Sequence, residues 1–117
     1  MVNFESFRKI ALAYPEAIED THFDKLSFRV KKKIFATYNP KKNQVSVKLS
    51  LSDQDLYGLI DKNTIYAVPN AWGKQGWTIV ELNTINEEII TAIVRSAYCQ
   101  VAPAKLANTY LDQENIT

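Results

Sequence analysis

The stretch KLSFRV-KKK-IFATYN-PKKNQ-VSVKL, residues 25–49, decides the fold. Three short runs of alternating character are separated by two lysine-rich turns, the pattern of a three-stranded antiparallel meander. In the first run Leu26, Phe28 and Val30 share one face, and Lys25, Ser27 and Arg29 the other. In the third, Val45, Val47 and Leu49 oppose Gln44, Ser46 and Lys48. The middle run alternates less cleanly because Ile34, Phe35 and Ala36 are all apolar, as expected of a central strand or of one carrying a bulge. One face of such a sheet must be covered by helices, and the other is left basic and open.

The flanks supply the cover. Upstream, Asn3 is placed to cap a helix whose Phe4, Phe7, Ile10, Ala11 and Tyr14 recur at three- and four-residue steps, and Pro15 ends it. Downstream, Asn86 with Glu87 and Glu88 opens the longest helix, with an apolar stripe of Ile89, Ile90, Ile93, Val94, Ala97, Tyr98 and Val101. Pro103 interrupts it, AKLANTYL continues helically, and the last six residues are expected to fray. Between sheet and helix, Ser52 is expected to cap a short helix with Leu56, Leu59 and Ile60 on its apolar side. Residues 64–68 read as a short strand, 70–76 as a glycine-rich loop bearing Trp72 and Lys74, and 77–82 as the last strand. With Val80 and Leu82 turned inward, Trp77 falls on the open basic face.

The 117 residues, 46% hydrophobic and 23% charged, suit one α+β domain spanning 1–117, with an ordered core over about 3–110. A net charge of +1 gives no global pull toward nucleic acid or membrane. A single cysteine, Cys99, excludes an internal disulfide framework and a cysteine-based zinc site. No apolar run is long enough for a signal peptide or a membrane span, and a cytoplasmic location is expected. Residues 16–24 read as an acidic connector around the only histidine, His22, with Phe23 anchoring it on the core. The carboxylates Glu16, Glu19, Asp20 and Asp24 have no second histidine or cysteine to complete a metal site, so no metal or cofactor is expected. Nucleophile-elbow, HExxH, dinucleotide-binding and phosphate-loop motifs are all missing, which points away from an enzyme. What remains is a surface of Arg29, Lys31, Lys32, Lys33, Lys41, Lys42, Lys48 and Lys74 for phosphates, with Trp77 or Trp72 for stacking.

The order of these segments resembles the MmcQ/YjbR family of small bacterial proteins. Phe28-Arg29-Val30 followed by Lys33-Ile34-Phe35-Ala36 is similar to its F-x-V then G-K-x-F-A hairpin, and Val47-Lys48-Leu49 to its strand ending in lysine. Trp77, Val80 and Leu82 resemble its late W-x-x-V-x-L strand. Ser96, Tyr98 and residues 101–106 resemble its S-Y-x-x-V-A-P-K-x-L closing helix. The likeness runs over about residues 4–108. It departs where Lys32 replaces the hairpin glycine, Gly76 the frequent histidine before the tryptophan, and Ala104 the lysine after A-P. The resemblance implies a frataxin-like (CyaY-like) α+β fold, with an antiparallel sheet packed on one face by the N- and C-terminal helices. It also implies a DNA-binding role through two hairpin wings. An iron-binding role of the frataxin kind calls for an acidic ridge on the first helix, which here carries only Glu5. The rival expectation is a protein- or small-ligand-binding module that uses Trp77 as its anchor.

Overall fold

The computed structural model describes residues 2–22 and 25–109. Its element order is α1 (Phe4–Leu12), β1 (Ala17–His22), β2 (Lys25–Val30), β3 (Lys33–Asn39), β4 (Gln44–Lys48), α2 (Leu51–Gly58), β5 (Ile65–Ala67), α3 (Ala71–Lys74), β6 (Trp77–Glu81) and α4 (Glu87–Val101). A further helical stretch covers 104–109. The strands form one six-stranded antiparallel sheet in the order β1-β2-β3-β4-β6-β5.

The meander of residues 25–49 is its centre, as the alternation requires. Phe28, Val30, Val45, Val47, Leu49, Val80 and Leu82 are all buried on the face under α1 and α4. The register between β2 and β3 slips at Phe28/Arg29, pairing Phe28 with Ala36 and Arg29 with Ile34. Phe35 is the extra residue of this bulge, and it turns into the core. There its ring meets Tyr98 of α4 edge-on at 5.7 Å. Tyr98, fully buried, stacks on Tyr14 at 4.8 Å and donates its hydroxyl to the Pro15 carbonyl at 2.7 Å. One side chain thus joins α4, the end of α1 and the sheet. Phe7 of α1 packs edge-on against Phe28, and Phe4 lies against Tyr38. Asn3 and Asn86 cap their helices through side-chain oxygens.

Three readings of the sequence need correction. Residues 17–22 form an edge strand rather than a connector. Its polarity runs against the usual alternation. Ile18 is exposed, whereas Glu19 lies on the helix side and is held by Arg8. Charge on an edge strand also discourages pairing with another chain. Second, the cap of α2 is Ser50, not Ser52, because the Ser50 hydroxyl receives the Asp53 amide. Third, Leu56, Leu59 and Ile60 are exposed instead of packed. Gln54 and Tyr57, one turn apart, face inward because both are tethered there: Gln54 to β6, and Tyr57 by its hydroxyl to Ser96 of α4. The side chain of His22, the expected anchor Phe23, Asp24 and residues 110–117 lie outside the described residues.

The β2–β3 turn exposes the cost of one departure noted above. It has two residues, Lys31 and Lys32, and both adopt positive φ (50° and 70°), the geometry of a type I′ turn usually filled by Asn-Gly. A side chain there is disfavoured by about 1–2 kcal/mol, partly offset by the greater freedom glycine has when unfolded. Lys32→Gly is therefore expected to stabilise the domain by about 1 kcal/mol, raising the midpoint of thermal unfolding by roughly 3–6 °C. An unchanged or lower midpoint would mean that the Lys32 side chain contributes more than its backbone costs.

Candidate functional site

The face of the sheet away from α1 and α4 carries Arg29, Ile34, Thr37, Ser46, Lys48, Trp77 and Ile79, as the strand register dictates. Trp77, half-buried and paired with Lys48 across β4 and β6, stands on this open face as the sequence implied. On it lies an open groove of about 400 Å³, lined by Lys25, Ile34, Thr37, Ser46, Val68, Trp72 and Trp77.

Trp72 reaches the groove because the segment before β6 is folded tightly. Asn70 caps the single turn α3 with its side-chain oxygen on the Trp72 amide. Gly73 packs so closely on the Val68 carbonyl that a Cβ would stand 1.9 Å from its oxygen. Gly76 has φ +105°, and a Cβ there would come equally close to the Leu49 carbonyl oxygen. With this backbone, no side chain fits at Gly76 beside Leu49, so the histidine frequent before the tryptophan in the resembled pattern has no room here. The Gln54 amide then fastens the segment from α2, its two N–H groups shared among the Gly73 carbonyl (3.0 Å), the Trp77 carbonyl (3.1 Å) and the Thr78 hydroxyl oxygen (3.1 Å). This clamp was not visible in the sequence, since a glutamine in a short polar helix carries no signal of its partners.

The cations divide unevenly. The two lysine turns occupy opposite ends of the sheet, because each strand of a meander reverses direction. The seven residues of β3 put about 20 Å between them. At one end stand Lys31, Lys32 and Lys33, with Lys48, Trp77 and, just before β6, Lys74. At the other are Lys41 and Lys42. Lys32, Lys33, Lys42 and Lys74 are exposed, as is Lys41. Lys31 pairs with Glu16 at 2.6 Å, and the Lys48 ammonium donates to the Gln75 carbonyl. Arg29 lies 3.8 Å from Asp20 and bonds the Ser27 hydroxyl and the Lys32 carbonyl. The exposed ion pairs add little stability, but they spend part of the positive charge that the sequence assigned to phosphates.

Beside the groove, Tyr66 of β5 donates its hydroxyl to the Glu81 carboxylate, which also receives the Gln44 amide at 2.8 Å. The hydrogen bond to Glu81, with burial and the carboxylate charge, pushes the Tyr66 phenol up to about 12. Among the described residues no cluster of His, Cys, Asp and Glu is arranged to hold a metal ion, and no helix is long and apolar enough to cross a membrane.

Two predictions follow from these contacts. Gln54→Ala should lower stability by about 1–2 kcal/mol, and Gln54→Glu by at least as much, because a carboxylate turned toward three oxygens can donate nothing. Chemical denaturation reads both; equal stability of all three proteins would remove the clamp. For Tyr66, the folded pKa lies above the unfolded value, so its contribution is complete below about pH 10 and is lost as pH rises toward 12. In an alkaline absorbance titration Tyr66→Phe should remove a late tyrosinate step and flatten the loss of stability over that window.

Comparison with known proteins agrees with this architecture. A family model described as YjbR matches residues 12–100. The crystal structure of Deinococcus radiodurans protein DR2400, described as containing the domain DUF419, superposes with a TM-score of 0.74 at 20% identity, covering 86% of this chain and 78% of that one. At that identity the likeness concerns the fold alone. Among curated proteins nothing matches.

Proposed function

The chain belongs to the YjbR family, and from that premise we propose that it is a cytoplasmic, non-enzymatic DNA-binding domain working through the open face of its sheet. The observation that carries the reading is a tryptophan-lined groove on that face with Lys25 in its lining, while the exposed Lys32 and Lys74 stand at the same end of the sheet as Trp77. Lysines near an aromatic surface provide what a polyanion with flat bases requires. Phosphate contacts of this kind give affinity that depends little on sequence and falls steeply with salt. Lys48 and Arg29 act as supports, being already engaged with the Gln75 carbonyl and with Asp20. Lys41 and Lys42 would reach only a partner long enough to span the sheet. A second reading, a module that holds a protein segment or small ligand by Trp77, is favoured by the predominantly apolar groove.

Fluorescence anisotropy with labelled DNA at ~50 and ~200 mM salt separates the two. A protein contacting three to five phosphates loses roughly 1.6–2.7 log units of affinity over that interval. The joint substitution Lys32→Glu and Lys33→Glu should weaken binding and flatten the salt slope, while Lys41→Glu with Lys42→Glu should do so less. Equal losses from both pairs would show a partner bridging the two turns. Absence of binding at low salt would refute the DNA reading and leave the ligand module.

A further inference from the structure

We infer that the groove between Trp72 and Trp77 receives one unstacked base, so that the protein prefers single-stranded to duplex DNA. This deepens, and rests on, the DNA reading above. The groove's volume of about 400 Å³ is at the small end of the range for ligand pockets, the scale of a single nucleotide rather than of a helix. Its walls are apolar and aromatic, and Trp72, 59% exposed, is among the most exposed large apolar side chains described. Any base has a π-face to lay on an indole, so such walls accept all four bases. Thr37 and Ser46 are direct partners across β3 and β4, and both line the groove. A hydroxyl both donates and accepts, so this pair meets a base edge of either polarity.

The surroundings favour a polyanion over a peptide. Lys25 also lines the groove, and Lys74 follows Trp72 by two residues. A proline-rich peptide would use an aromatic groove too, but it gains nothing from this charge. The walls are held before any ligand arrives: Gln54 bonds the backbone on both sides of the segment joining the two tryptophans, and Gly73 and Gly76 lock it against neighbouring carbonyls. A preorganised site binds without first ordering a loop. In a duplex each base is stacked on its neighbours and paired with its complement, so it cannot enter without first being turned out of the helix.

The test compares labelled single-stranded and duplex DNA of equal length, by anisotropy, with the full chain and its Trp72→Ala and Trp77→Phe variants. Trp72→Ala is chosen because truncating an exposed side chain should leave the fold intact; circular dichroism checks this. The expected result is tighter binding to the single strand. That binding should weaken on the order of 5- to 150-fold in Trp72→Ala and less in Trp77→Phe, with the salt slope and duplex affinity unchanged. Equal affinity for the two DNA forms, untouched by Trp72→Ala, would overturn the base pocket and leave the DNA reading standing. No binding to either form at low salt would overturn both. A proline-rich peptide whose binding depends on Trp72, with DNA binding unaffected, would assign the groove to peptide and overturn the inference.

Discussion

The contact of Phe35 with Tyr98 is the joint on which this structure turns. A sheet strand with three consecutive apolar residues cannot bury all of them on one face by simple alternation. The bulge at Phe35 resolves the conflict, sending Phe35 and Ala36 inward together and leaving Ile34 on the open side. The space Phe35 enters is closed by Tyr98, whose hydroxyl reaches the Pro15 carbonyl. Helix α4, the exit of α1 and the central strand are thereby set at one distance from one another. Removing such a buried ring would open a cavity costing about 3–5 kcal/mol, a large share of the stability of any domain this size.

Covering one face leaves the other open. The groove exists because the helices spend their apolar stripes on the opposite side, and because β6 brings Trp77 up beside β4. The open face is completed by a segment with little secondary structure of its own. Two close backbone approaches at Gly73 and Gly76 and one glutamine amide hold it in place. The charge on this face is more balanced than the number of lysines suggests. Asp20, Glu16 and the Gln75 carbonyl engage Arg29, Lys31 and Lys48, which leaves Lys32 in the β2–β3 turn, Lys74 in α3 and Lys25 at the groove as exposed cations around it.

Much of this was legible along the chain. Alternation in residues 25–30 and 44–49 assigned faces correctly to every strand residue there, and the caps at Asn3 and Asn86 sit where short polar side chains precede apolar periodicity. Trp77 could be placed because Val80 and Leu82 left its strand only one inward face. The edge strand β1 escaped notice because its inward residues are Ala17, Glu19 and Thr21, and pairing with β2 rather than burial makes it a strand. The orientation of α2 escaped for a related reason. Three exposed apolar residues outweigh Gln54 and Tyr57 in any periodic reading, yet the two polar tethers decide which side faces in.

The sequence by itself determined the α+β class, the meander, the buried face of its strands and the family likeness. These rest on local alternation and capping, which act within a few residues. The tertiary structure alone decided that the two lysine turns lie about 20 Å apart and that Arg29, Lys31 and Lys48 are already engaged. It alone brought Trp72 and Trp77 to a common groove. Each of these depends on strand order and on hydrogen bonds between residues distant in the chain, and no periodicity records which carbonyl a glutamine or a lysine will find once the backbone has closed.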